Sequence, residues 1–111
     1  LDRKTLLSKN QSQEGGLSGK PLFLKSNKIL AQFSEELDGK IPLIGVGGAS
    51  SALEVYSKIK AGASAVQLYS ALIFNGFSLV ENIIKELDIL VENDAYENVT
   101  QAVGVEREKW L

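Results

Sequence analysis

LIGVGGAS, residues 43–50, is an aliphatic run that breaks off in glycine and ends on serine. With Ile41 and Pro42 before it, the stretch from Ile41 to Val46 shows little polar alternation. That is the pattern of a short strand covered on both faces in a parallel sheet. Glycine weakens a strand and costs backbone entropy, so Gly45, Gly47 and Gly48 at a strand end need a reason. Just beyond them, Ser51-Ala52-Leu53-Glu54 has the spacing of a capping box. The helix it opens is expected to turn Leu53, Tyr56 and Ile59 toward a core, with Ala52 and Val55 flanking, and Gly62 stops it. Ala63 to Ser70, ASAVQLYS, reads as a second buried strand.

Outward from this pair of strands the pattern continues. Upstream, Ile29, Leu30, Phe33 and Leu37 form one apolar helical stripe, with Ser26 or Asn27 as the expected cap and Gly39 as the stop. GGLSGKP, residues 15–21, is rich in turn residues, and residues 1–14 read as a polar loop. Downstream, ALIFNG is a short apolar segment. A long helix begins near Phe77, with Leu79/Val80, Ile83/Ile84, Leu87 and Leu90/Val91 inward and a Glu81–Lys85 pair outside. A capped turn from Asn98 to Gly104 closes the chain.

The alternation of strand and helix implies a parallel sheet with right-handed crossovers. Two strands cannot close such a sheet, and a (β/α)8 barrel needs about 250 residues. The expected fold is therefore α/β, about the last two β/α units of a TIM barrel, with residues 15–111 as an incomplete segment of one domain. The chain starts at Leu1 and holds no methionine. The expectation is a piece of a longer polypeptide rather than a processed mature chain.

Composition narrows the function classes. The 111 residues are 44% apolar and 23% charged, with a formal net charge of -2. That balance gives no general attraction for nucleic acid or anionic lipid. Cysteine and histidine are both absent, which excludes disulfides, thiolate metal sites and the commonest general base. No metal site is expected. No apolar run approaches the roughly 20 residues of a membrane span.

In a barrel the strand ends form the active face, and a phosphate site often lies in the loops after the last two strands plus a short extra helix. Gly47 and Gly48, then Tyr69 and Ser70, then ALIFNG supply those parts in that order. Bare glycine backbone lets N–H groups meet phosphate oxygens, and the Ser70 hydroxyl can donate as well. The competing reading is that the glycines only permit a tight turn. A dinucleotide fingerprint is excluded, because Ala65-Val66-Gln67-Leu68 lacks the acidic residue that it needs. Glu35-Glu36 and Glu106/Glu108 read as solvated charges, Tyr56 as packing, Trp110 as packing on the barrel exterior, and Lys20 as an exposed lysine.

Three motifs together carry a resemblance: GGLSGKPL (residues 15–22), IPLIGVGG (41–48) and AGASAVQLYSALIFNG (61–76). At these spacings the chain, from about Gly15 to Gly104, resembles the C-terminal portion of dihydroorotate dehydrogenase. Gln67-Leu68-Tyr69-Ser70 and Lys20-Pro21-Leu22 look like class 2, the quinone-dependent, membrane-associated group. Soluble members more often end the last strand in VGTA or IGTA.

The resemblance implies a flavin mononucleotide (FMN) barrel that oxidises dihydroorotate to orotate and passes the electrons to a quinone. Carried over, Gly19, with Ser18 beside it, lies against the flavin. Gly47, Gly48, Tyr69 and Ser70 bind its phosphate. A valine at Gly48 is then expected to occupy the phosphate position and strip the flavin. The family's serine base, its lysine near the flavin and its substrate-holding asparagines lie upstream of this segment, so no catalytic residue is expected here. Residues 1–14 would border the active-site mouth. The partners implied are the remainder of the same polypeptide, dihydroorotate or orotate, and a quinone. Attachment is expected to be peripheral, through an N-terminal element outside this chain, at the bacterial inner membrane (cytoplasmic side) or the mitochondrial inner membrane. The alternatives are another phosphate-binding barrel enzyme, or a non-catalytic fragment packed on a partner chain.

Overall fold

In the computed structural model, which describes residues 3–111, two parallel three-residue strands are joined through a helix. β1 (Ile44–Val46) pairs with β2 (Ala65–Gln67) in the register Ile44↔Ala65, Gly45↔Val66, Val46↔Gln67. The chain reaches this unit through α1 (Phe23–Leu37) and crosses between the strands through α2 (Ala52–Ala61). It leaves through a short α3 (Ser70–Asn75) and a long α4 (Ser78–Asn93). Single 3-10 turns lie at Arg3–Thr5, Lys20–Leu22, Val99–Ala102 and Arg107–Trp110. The strands are shorter than the expected 41–46 and 63–70, because among the described residues each has one neighbour to pair with.

The core lies on the helical side of the sheet. Ala52, Val55, Tyr56 and Ile59 of α2 pack with Ile83 and Val91 of α4, while Leu30 and Ala31 of α1 pack with Ala61 and Ala63. Leu53 was expected in this core, yet it is 68% exposed. The buried stripe of α2 runs through residues 52, 55, 56 and 59, one position to its side. The capping box forms in part. Ser51 Oγ accepts from the Glu54 N–H at 3.2 Å, but Glu54 Oε1 accepts from the Ser50 and Ser51 hydroxyls rather than from a backbone N–H.

The start of α1 differs from expectation. Pro21, in the 3-10 turn Lys20–Leu22, leads straight into Phe23, and proline suits a first turn because no helical partner is lost there. Ser26 and Asn27 therefore sit inside the helix, where their side chains reach across to α2 instead of capping.

The C-terminal tail is a strap rather than a solvated end. Its Trp110 ring meets Phe23 of α1 edge-on at 6.2 Å between centroids. Glu106, expected to be solvated, pairs with Lys60 of α2 at 3.2 Å and with Lys109 at 2.7 Å. Those hydrogen bonds, Lys109's first, hold its carboxyl below the usual range despite partial burial. Tyr56 donates its hydroxyl to Asp94 Oδ2 at 2.5 Å, and burial together with that acceptor pushes its own pKa up. Glu81 and Lys85 pair on the outside of α4 as expected, at 3.1 Å.

Candidate functional site

The glycines at the end of β1 turn their bare side toward α1. A Cβ on Gly48 would come within 2.6–2.8 Å of the backbone N, Cβ and Cα of Phe23. A Cβ on Gly47 would press on the Ser26 side chain at 3.2 Å, and one on Gly45 would meet Ala63 Cβ at 3.1 Å and the Lys58 stem at 3.2 Å. Gly48 also has φ +75°, a left-handed conformation that an L side chain resists. The first use of this bare backbone is thus internal: it lets the loop lie against the first turn of α1. The expectation that a valine at Gly48 would point into the phosphate position is corrected here, because that direction is filled by Phe23.

The loop also borders a cavity of about 430 Å³ lined by Ser18, Gly19, Gly47, Gly48, Tyr69 and Ser70 among others. All five residues singled out from the sequence, and Ser18 beside them, therefore meet in one place. They come from three separate segments: the turn before α1, the loop after β1 and the junction of β2 with α3. Ser18 and Ser70 bridge the first and third through their hydroxyls, 2.5 Å apart.

The chemistry of this cavity suits an anion. The N–H groups of Gly48, Tyr69 and Ser70 have no acceptor among the described residues, and unpaired donors of this kind call for an oxygen ligand. Among the described residues, Lys20 is the one charged side chain lining the cavity. Tyr69 is 71% exposed, so its backbone rather than its ring is the part held in place.

Sequence reasoning missed what stands behind the loop. Lys58 is fully buried. Its ammonium donates to Ser26 Oγ at 2.7 Å and to Asn27 Oδ1 at 2.6 Å, and it lies 5.0 Å from the Phe23 ring centroid. Ser26 Oγ in turn reaches Gly47 O at 3.1 Å and Phe23 O at 3.0 Å. Because Lys58 only donates, Asn27 must offer its oxygen, which leaves its Nδ2 buried with no partner among the described residues. Burial lowers the Lys58 pKa from 10.5 to about 8, against the opposing pull of Glu54. The available signal was its place three residues after Val55, on the buried stripe of α2.

The dihydroorotate dehydrogenase family profile matches residues 1–91. The dihydroorotate dehydrogenase (quinone) of Cereibacter sphaeroides is 50% identical over 111 residues, which is all of this chain and 31% of that protein. The protein of the same name from Sulfurimonas denitrificans is 52% identical over 101 residues, 91% of this chain and 29% of that one. Among solved structures, the ligand-free dihydroorotate dehydrogenase of Eimeria tenella superposes with a TM-score of 0.87 at 32% identity, over 93% of this chain and 29% of that chain. The chain thus spans about a third of the length of the relatives it matches. It belongs to the dihydroorotate dehydrogenase family.

Proposed function

We propose that this chain supplies the flavin-phosphate site of a quinone-dependent dihydroorotate dehydrogenase, acting in de novo pyrimidine biosynthesis. The observation that carries the reading is the single cavity in which Gly19, Gly47, Gly48, Tyr69 and Ser70 converge with unpaired N–H donors. The N–H groups of Gly48, Tyr69 and Ser70 and the Ser70 hydroxyl hold the phosphate of FMN, while Gly19 lies against the flavin. Lys20 adds positive charge at the rim. When bound, FMN supplies the hydride acceptor for dihydroorotate and the electron donor for a quinone. The residues of this chain bind and orient the cofactor, and the base that takes the substrate proton belongs to the rest of the polypeptide.

That remainder also completes the (β/α)8 barrel. Its support is the apolar surface left bare here: Ile44 is 64% exposed on β1, and Phe74 and Phe77 are each 86% exposed around α3. Apolar exposure on this scale calls for a covering surface. Among the described residues no helix is long and apolar enough to cross a membrane. Peripheral membrane contact through an N-terminal element outside this chain rests on the quinone-dependent reading alone.

The test is purification of the complete protein, with measurement of flavin content and dihydroorotate-dependent quinone reduction. One FMN per chain with reduction of the quinone is the expected result. A folded complete protein that carries no FMN and binds none when it is supplied refutes the reading.

A further inference from the structure

Lys58, Ser26 and the Gly47–Gly48 peptide form a chain of hydrogen bonds that runs from the core to the cavity wall. The Lys58 ammonium, fully buried, donates to Ser26 Oγ at 2.7 Å. A hydroxyl that accepts from an ammonium is left to act as a donor. The acceptors within its reach are Gly47 O at 3.1 Å and Phe23 O at 3.0 Å, which share its single proton. Gly47 O belongs to the same peptide plane as the N–H of Gly48. In a planar trans peptide those two groups point in opposite directions. Ser26 is on α1, so holding the carbonyl on that side turns the Gly48 N–H away from α1. Gly48 lines the cavity, and its N–H has no acceptor among the described residues.

We propose that Lys58, acting through Ser26, is a positioning residue that fixes the direction of the Gly48 N–H in the phosphate loop. The proposal rests on the reading of this cavity as a phosphate site. The glycines fit the same role: Gly45 leaves room for the Lys58 stem, and Gly47 leaves room for the Ser26 side chain. Lys58 makes no contact with the ligand and takes no part in proton transfer. Its effect is confined to the loop that meets the phosphate.

That confinement gives the test a readout that general loosening of the fold does not move. The complete enzyme is stripped of flavin, and the affinities for FMN and for riboflavin, which lacks the phosphate, are measured for wild type, Ser26→Ala, Lys58→Met and the double variant. The expected result is a fall of about tenfold in the preference for FMN over riboflavin in each single variant, the size of one lost hydrogen bond, with riboflavin affinity unchanged. Because the two residues act in series, the double variant falls no further than the larger single effect. If Lys58→Met does not fold, Ser26→Ala, which keeps the Lys58–Asn27 bond, carries the test. Variants that bind FMN and riboflavin more weakly in equal measure, or that keep the full preference, overturn the positioning role. Wild-type protein that binds riboflavin as tightly as FMN overturns the phosphate reading itself.

Discussion

Replacing Ser70 with aspartate separates binding of phosphate from integrity of the fold, because the two effects have opposite signs. Ser70 is the first residue of α3, and the preceding Tyr69 gives the helix no side-chain cap. A carboxylate there faces the positive end of the helix and stabilises it by about 0.3–1 kcal/mol. The Ser18 hydroxyl, its side-chain partner among the described residues, can donate to the new carboxylate. For a bound phosphate the change is adverse twice over. The loss of a hydroxyl donor to a charged group costs about 1.5–3 kcal/mol. Repulsion between two charges 4 Å apart adds up to about 4 kcal/mol at a surface-like dielectric. Together they predict an FMN dissociation constant raised by about 10- to 10⁵-fold. The assay is titration of the flavin-free complete enzyme, followed by quenching of flavin fluorescence, beside a thermal melt of the same apoprotein. An unchanged or higher melting temperature with weak FMN binding is the expected pair. Ser70→Asp protein that binds FMN within threefold of wild type refutes the placement of phosphate at Ser70.

Gly48→Ala, by contrast, is expected to lose thermal stability and flavin together. Its Cβ meets the Phe23 backbone within 3 Å at φ +75°, so the apoprotein melt falls by several degrees before any ligand is added. Lys58 gives a pH signature. Its folded pKa of about 8 lies below the free value of 10.5, through burial opposed by Glu54. The unfolded chain therefore binds more protons between these values, and stability rises with pH across that window by an amount on the order of a few kcal/mol. Denaturant titrations of the complete protein at pH 8 and pH 10 should show that gain in wild type and not in Lys58→Met. Glu106 has the same sign in a more acidic window, because hydrogen bonds from Lys109 and Lys60 depress its folded pKa and stability rises as the carboxylate ionises. Glu106→Gln should cost about 0.5–1 kcal/mol at pH 7, and the difference should vanish as acid protonates the carboxylate; an equal deficit at pH 3 and pH 7 refutes the ion-pair account.

Local rules were enough for much of the chain. The capping serine at Ser51, the helix stop at Gly62, the Asn98 cap and the Glu81–Lys85 pair depend on residues within four positions of each other, and all four form. The start of α1 was misplaced because Ser26 and Asn27 have cap-like side chains whose partner, Lys58, lies about thirty residues away. Leu53 was misassigned because apolar side chains on both flanks of a short helix make the buried stripe ambiguous by one position. The fate of Glu106 likewise turns on Lys60, a residue distant in the chain.

The β/α order, the approximate helices, the family and the candidate residues that meet in the cavity were all legible from residue order. Spacing and residue type are local properties, and the motifs that carry the resemblance are local too. What the bare side of each glycine meets was not legible there. A missing side chain signals close approach without saying what approaches. Packing alone shows that Gly45, Gly47 and Gly48 lie bare toward Lys58, Ser26 and Phe23, while Gly47 and Gly48 also line the cavity. A buried lysine looks in sequence like any surface lysine, and its role is set by the partners that three-dimensional packing brings to it.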